Sequence, residues 1–136
     1  MKQTVTMGLS ALILAAFTLF PAAIALADEP ADLLDVWQGA LADQDYPTYL
    51  DCLHSGTREV PEYGSREAMR FWTQEMARLR DRGFAGRFAL EAASASGPRF
   101  PAGTLLAHPI IDGEPTRDAI VLIQEAGEWK ILRLFS

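Results

Sequence analysis

The sequence is short of the features that announce a chemistry. Cysteine occurs once, at Cys52, so no intrachain disulfide forms even in an oxidising compartment. The apolar stretch Tyr49-Leu50-Asp51-Cys52-Leu53 reads this cysteine as a small buried residue, the alternatives being a reactive thiol or an intermolecular disulfide. Cys52 and His54 form a Cys-x-His pair without the further ligands of a zinc site, and neither a metal nor an organic cofactor is expected. Basic residues are outnumbered, 12 Lys and Arg against 18 Asp and Glu, for a formal net charge of −6. That balance argues against a nucleic-acid partner, whose phosphates must be neutralised by cations. It describes a self-repelling surface and names no substrate. Internal repeats and low-complexity tracts are absent. Long apolar runs are limited to one, at the start of the chain.

That run extends from Leu9 to Phe20, broken only by Ser10 and Thr18. Lys2 precedes it, Pro21 interrupts it, and Ala25-Leu26-Ala27 places small residues where a signal peptidase reads. Composition then switches to the acidic, loop-like Asp28-Glu29-Pro30. A membrane anchor needs about 20 apolar residues, and this run is shorter. Residues 1–27 are therefore expected to be a cleavable secretion signal. Residues 28–136 are expected to be a single exported domain, periplasmic or secreted, with no stable membrane anchor after cleavage. A chain of this length builds one ordinary core rather than two.

Within the domain, helical patterning comes first. Pro30 suits the first turn of a helix, and Leu33, Leu34, Trp37, Ala40 and Leu41 recur as one apolar stripe. Asp43-Gln44-Asp45 ends it, and a shorter helix begins at Pro47 with Asp45 or Tyr46 as its cap, presenting Tyr49, Leu50 and Leu53 to the same core. Residues 55–64 read as a loop or short irregular strand, because Gly56, Pro61 and Gly64 punctuate them too closely. Ser65 caps the best-specified helix: Met69, Trp72, Met76 and Leu79 mark its buried face, and Gly83 its stop.

From Gly86 the period changes to two. Phe88, Leu90 and Ala92 alternate with Arg87, Ala89 and Glu91. A loop from Ser94 to Gly103 leads to a strand from Thr104 to Ile111, which Pro109 assigns to a sheet edge or a bulge. Asp112-Gly113 and Glu125-Ala126-Gly127 are turn signals on either side of the β-rich run Ile120 to Ile123, and Glu128 to Phe135 forms the last strand. The fold class is α+β: two or three N-terminal helices packed on a curved antiparallel β-sheet.

Three stretches resemble the nuclear transport factor 2-like superfamily, the cone-shaped fold of ketosteroid isomerases, scytalone dehydratase and polyketide cyclases. Leu33 to Leu53 resembles its paired opening helices, Ser65 to Leu79 its later helix, and Gly127 to Ser136 (GEWKILRLFS) its final strand. The segment between Leu53 and Ser65 is too short for the strand pair often found there, which implies a compact cone. The resemblance implies a pocket between helices and sheet, and a homodimer through the sheet is common in such proteins. It also brings the alternative of a cofactor-independent isomerase, dehydratase or cyclase, built on a carboxylate or histidine facing a tyrosine hydroxyl.

The pocket candidates are Trp37, Tyr49, Tyr63, Trp72, His108, Trp129 and Arg133. The aromatics also suit a plain core, and His108 suits an edge histidine bonded to water or a carbonyl. Alternation places Arg133 beside Trp129, Ile131 and Phe135, where an internal salt bridge or an anionic ligand would satisfy it. No residue carries a catalytic assignment. The expected function is a non-catalytic binding domain that holds a small apolar or aromatic ligand or docks a protein partner; an envelope immunity or inhibitor protein is a further alternative.

Overall fold

A computed structural model describes residues 29–93 and 100–135. The expected signal, most of the loop after the first strand and the terminal Ser136 lie outside the described residues.

The first helix, α1 (Pro30–Asp43), carries proline in its first turn and buries all five positions of its stripe. It stops at Gln44, whose left-handed backbone (φ 53°) lets its amide side chain donate to the Leu41 carbonyl, 2.7 Å away. Asp45 then caps α2 (Tyr46–Asp51), accepting from the Thr48 backbone N–H at 3.3 Å. Residues 55–64 hold two single-turn helices, α3 (Ser55–Arg58) and α4 (Pro61–Gly64), rather than a loop or strand. Five helical segments thus replace the two or three expected. The Ser65 hydroxyl accepts from the Ala68 N–H at 3.0 Å and opens α5 (Arg66–Asp81). Among the described residues, no helix is long and apolar enough to cross a membrane.

Five antiparallel strands follow: β1 (Phe84–Ala92), β2 (Leu105–Ile111), β3 (Glu114–Pro115), β4 (Ile120–Glu125) and β5 (Glu128–Arg133). They form an open sheet in the order β1-β2-β4-β5, with the short β3 pairing the far end of β2. Both expected turns carry two consecutive positive φ angles, at Asp112-Gly113 and Ala126-Gly127. Such pairs match the twist of a tight hairpin, and only glycine and a few polar or small residues adopt them cheaply. Pro109 is fully buried in an inner strand rather than at an edge, and the second expected setting holds, because the β1–β2 register shifts between Phe84–Ile111 and Phe88–Pro109. On the side away from β1 the Pro109 carbonyl accepts from the Thr116 N–H at 2.8 Å, and the Thr116 carbonyl, with no proline N–H to meet, faces His108 Nδ1 instead.

The helices cover one face of the sheet. Ala107, Ile120, Leu122 and Ile131 from the strands meet Leu34, Trp37, Tyr49, Leu53 and Met76 from the helical half, in a layer with almost no solvent exposure. The outer edge of β5 is covered by residues 52–54. Ile131 N–H donates to the Cys52 carbonyl and His54 N–H to the Ile131 carbonyl, each at 2.8 Å, in a single parallel bridge. An exposed ladder on that side is thereby removed.

One register shift changes a side-chain assignment. Ile131 pairs with Leu122, but Arg133 pairs with Val121, so β5 carries an extra residue at Leu132. The bulge moves Arg133 to the face opposite Ile131 and Leu122. Arg133 is not among Trp129 and Ile131, as strict alternation had it.

Candidate functional site

The layer where a cone-shaped pocket was expected is filled by large side chains. Trp37, Tyr49, Leu53, Met76 and Ile131 are fully buried there. The concave surfaces open instead to solvent around the helices.

The most aromatic of them lies along α5. Met69 and Met76 hold this helix to the core, and Trp72 is half-buried on the same stripe. Each residue turns about 100° around a helix, so Phe71 points away from the stripe, and it is 50% exposed. Four rings meet at this point. Tyr63 stacks on Trp72 with centroids 6.5 Å apart and planes 6° from parallel. Phe71 meets Trp72 edge-on at 4.8 Å, and Phe135 lies tilted at 5.6 Å on another side. Phe135 reaches it through a left-handed turn (φ 49°) just beyond β5.

A groove of about 290 Å³ runs past Phe71, Trp72, Leu79 and Phe135, with Glu75, Arg82 and Asp118 on its rim. On the other side of Phe71 a shallower one of about 370 Å³ adds Glu62 and Glu67. Four carboxylates border these two surfaces against Arg82, and one of them, Glu75, is ion-paired with Arg78. The Trp72 indole N–H is sealed from solvent with no hydrogen-bond acceptor among the described residues.

Of the residues singled out from sequence, only Tyr63 and Trp72 come together here. Trp37 is a core residue with no exposure, and its indole N–H also lacks an acceptor among the described residues. Tyr49 is buried, and its hydroxyl donates to the Tyr63 carbonyl while that of Tyr46 donates to the Gly64 carbonyl. The two tyrosines clamp α4 from below. Burial, reinforced by Tyr46 nearby, pushes the Tyr49 phenol well above its ordinary range, which keeps the donor protonated. Trp129 borders a separate groove of about 320 Å³ with Val36, Cys52 and Lys130, between α1 and β5. Burial raises the Cys52 thiol to about 12, so it remains protonated and unreactive at neutral pH.

Arg133 makes no ion pair among the described residues. Its guanidinium lies over the Phe100 ring at 5.7 Å in place of the expected salt bridge. Phe71 and Phe135 were missing from the sequence-derived set. The signal for Phe71 was present: a large apolar side chain out of phase with the stripe of its own helix.

The ionisable clusters are structural. His108 faces the Thr116 carbonyl with Nδ1 at 2.9 Å and Glu91 with Nε2 at 2.7 Å, joining β1, β2 and the segment after β3. Alternation puts His108 on the sheet face opposite buried Ala107, away from the aromatic groove. His54 N-caps α3, its Nδ1 accepting from the Gly56 N–H at 3.0 Å.

Glu125 reaches α3 from the β4–β5 turn. It accepts from the Ser55 hydroxyl and from the Ser55 N–H at 3.1 Å, with His54 Nε2 3.6 Å away. These three side-chain types suggest a nucleophile with its base, but the connections are wrong for one. Ser55 is bonded to the carboxylate rather than to the imidazole, and those bonds hold Glu125 below the usual glutamate range, chiefly through the Ser55 hydroxyl. A carboxylate stabilised in its charged form is a weaker base. Because its folded-state pKa is depressed, its contribution to stability is present above the ordinary glutamate pKa and lost as pH falls through the folded value. Amide exchange at Ser55 and Gly56 is therefore expected to accelerate, relative to the protein core, on acidification across that range. Glu125→Gln should flatten the response; an equally steep one in that variant would reject the assignment.

Among the described residues no three His, Cys, Asp or Glu side chains converge as a metal site. Comparison of the chain with protein-family models, with curated proteins and with solved structures finds no match.

Proposed function

We propose that this chain is an exported, non-catalytic binding domain whose recognition surface is the aromatic groove of α5. Its preferred occupant is an aromatic or apolar group that carries a positive charge, whether on a small ligand or on a side chain of a protein partner. The observation that carries this reading is the half-exposed Phe71 set edge-on to Trp72 beside a groove bordered by carboxylates. Aromatic anchors are the usual substance of a binding site, and the carboxylate rim supplies the charge preference. The histidines and the buried tyrosine are occupied in holding elements together, which favours binding over proton transfer.

We further infer that the domain is a compact, divergent member of the nuclear transport factor 2-like superfamily. The order of helices then antiparallel sheet supports this, while the single-turn helices standing where a strand pair is often found are the divergence. Its binding surface lies outside the cone rather than within it.

The test uses three indole probes differing in charge: tryptamine, indole and indole-3-acetate. Tryptamine is expected to shift the Trp72 indole N–H resonance most and indole-3-acetate least. Phe71→Ala should weaken tryptamine binding about tenfold, the ordinary loss for an aromatic anchor worth more than 1 kcal/mol. Binding unaffected by Phe71→Ala, or no saturable shift at millimolar probe, removes the reading.

A further inference from the structure

The cover over the β5 edge is a single bridge long and leaves one residue beyond it. Ile131 bonds residues 52–54 through both its N–H and its carbonyl, and alternate residues of a strand direct these groups to the same side. Trp129 therefore directs its own N–H and carbonyl outward. Continued by one step, the bridge would bring the Cys52 N–H to the Trp129 carbonyl. That N–H bonds instead to the Thr48 and Tyr49 carbonyls, each at 3.2 Å, because the chain there is coiled into α2. The outward groups of Trp129 have no hydrogen-bond partner among the described residues. The groove of about 320 Å³ between α1 and β5 opens at this point.

Its two sides differ in character. The Trp129 side chain lies on the helix-covered face and packs against the core, with Leu33 and Val36 of α1 lining the groove beside it. Val36 is 50% exposed. Glu128 and Lys130, one residue to either side, project from the other face. Lys130 is already engaged: its Nζ donates to the Asp51 carbonyl at 2.6 Å and lies 3.4 Å from Glu128. Asp32 and Asp51 complete the rim, and neither carboxylate forms an ion pair among the described residues. Three carboxylates thus border the groove against one occupied lysine.

These features select the occupant. Free main-chain groups on a strand edge are satisfied by another main chain, which a small cation lacks. An apolar wall on one side and an acidic rim on the other match apolar and basic side chains in alternation, because an extended segment presents successive residues to opposite faces. We propose that this groove docks an extended segment of a protein partner in which apolar residues alternate with arginine or lysine. The backbone of the segment pairs with Trp129, its apolar side chains lie on Leu33 and Val36, and its cations meet Glu128 and Asp51. The groove is separate from the one along α5, so its failure leaves the binding reading above untouched.

The test is an NMR titration at low ionic strength with a capped pentapeptide of alternating arginine and valine. Saturable binding is expected, with the Trp129 backbone amide shifted downfield and its hydrogen exchange slowed. The matching peptide of glutamate and valine should not bind. In the double variant D51N/E128Q the dissociation constant should rise about tenfold, the loss of two exposed ion pairs together. Both substitutions are at exposed positions, and an otherwise unmoved spectrum confirms the fold. No saturable shift at millimolar peptide overturns the proposal, as does equal binding of the glutamate peptide or an unchanged constant in the double variant. A response at Trp72 in place of Trp129 would put the peptide in the α5 groove and overturn it too.

Discussion

Replacing Trp37 by alanine is expected to lower the free energy of unfolding by about 3–5 kcal/mol, the cost of truncating a buried aromatic and leaving a cavity. Trp37 has no solvent exposure and sits mid-way along α1, in the core shared with Tyr49, Leu53, Met76 and the inner strands. A domain of this size has about 5–15 kcal/mol in total. The variant should therefore unfold at a much lower urea concentration. Trp37→Phe provides the internal comparison. It retains most of the ring volume and deletes an indole N–H that lacks an acceptor among the described residues. An unsatisfied buried donor costs about 1–3 kcal/mol, which offsets part of the lost contact area. The phenylalanine variant should thus lose less than half of what the alanine variant loses. Equal losses would mean that the indole N–H contributes a hydrogen bond, such as one to an internal water.

The contrast between Trp37 and Trp72 shows what can be read from periodicity alone. Both lie on apolar stripes at helical spacing, and both were pocket candidates. Periodicity locates the face of a helix that turns inward, and for α1 all five stripe residues are buried. It does not say how much material lies beyond that face. Trp37 belongs to the fully buried core, whereas Trp72 packs against that core from its margin, beside Tyr63, Phe71 and Phe135. Their different exposure is set by the packing partners, which come from distant parts of the chain.

Local signals with a stereochemical cause carried well. Ser65 caps α5, Asp45 caps α2, and the two glycine-containing turns sit where positive φ is needed. Signals that depend on counting fared worse. A single inserted residue at Leu132 sends Arg133 to the other face, and nothing in the composition of Ile131-Leu132-Arg133 announces it. The stretch from Ser55 to Gly64 failed for a different reason. A one-turn helix has no repeat to detect, and α3 and α4 are fixed by long-range bonds: Thr57 Oγ1 to the Leu132 carbonyl, Ser55 to Glu125, and the two tyrosine hydroxyls below α4. The glycine and proline that punctuate this segment shape it rather than loosen it.

Gly64 is the sharpest instance, and Gly64→Ala is expected to cost about 3 kcal/mol or more, the upper range for forcing an atom into a packed site. A β-carbon there would lie well inside van der Waals contact with the Arg58 carbonyl oxygen and 2.8 Å from its carbon. Those are backbone atoms of α3, which no rotamer change can move aside. Relief requires α3 and α4 to separate. Gly64 is held from both sides, its N–H donating to the Val60 carbonyl at 2.8 Å and its own carbonyl accepting from Tyr46. Separation would also disturb Ser65, the cap of α5, and the Tyr63 carbonyl that satisfies Tyr49. Gly39→Ala is the matching control, because a β-carbon at that exposed helical position meets nothing within 4 Å and should stabilise by up to about 1 kcal/mol. Thermal unfolding of the two variants should move in opposite directions. Any folded fraction of Gly64→Ala should also show a displaced Trp72 indole resonance, since moving α4 takes Tyr63 off the Trp72 ring. An unchanged resonance together with a wild-type melting temperature would show that α3 yields freely, and that the aromatic groove does not depend on the turn beside it.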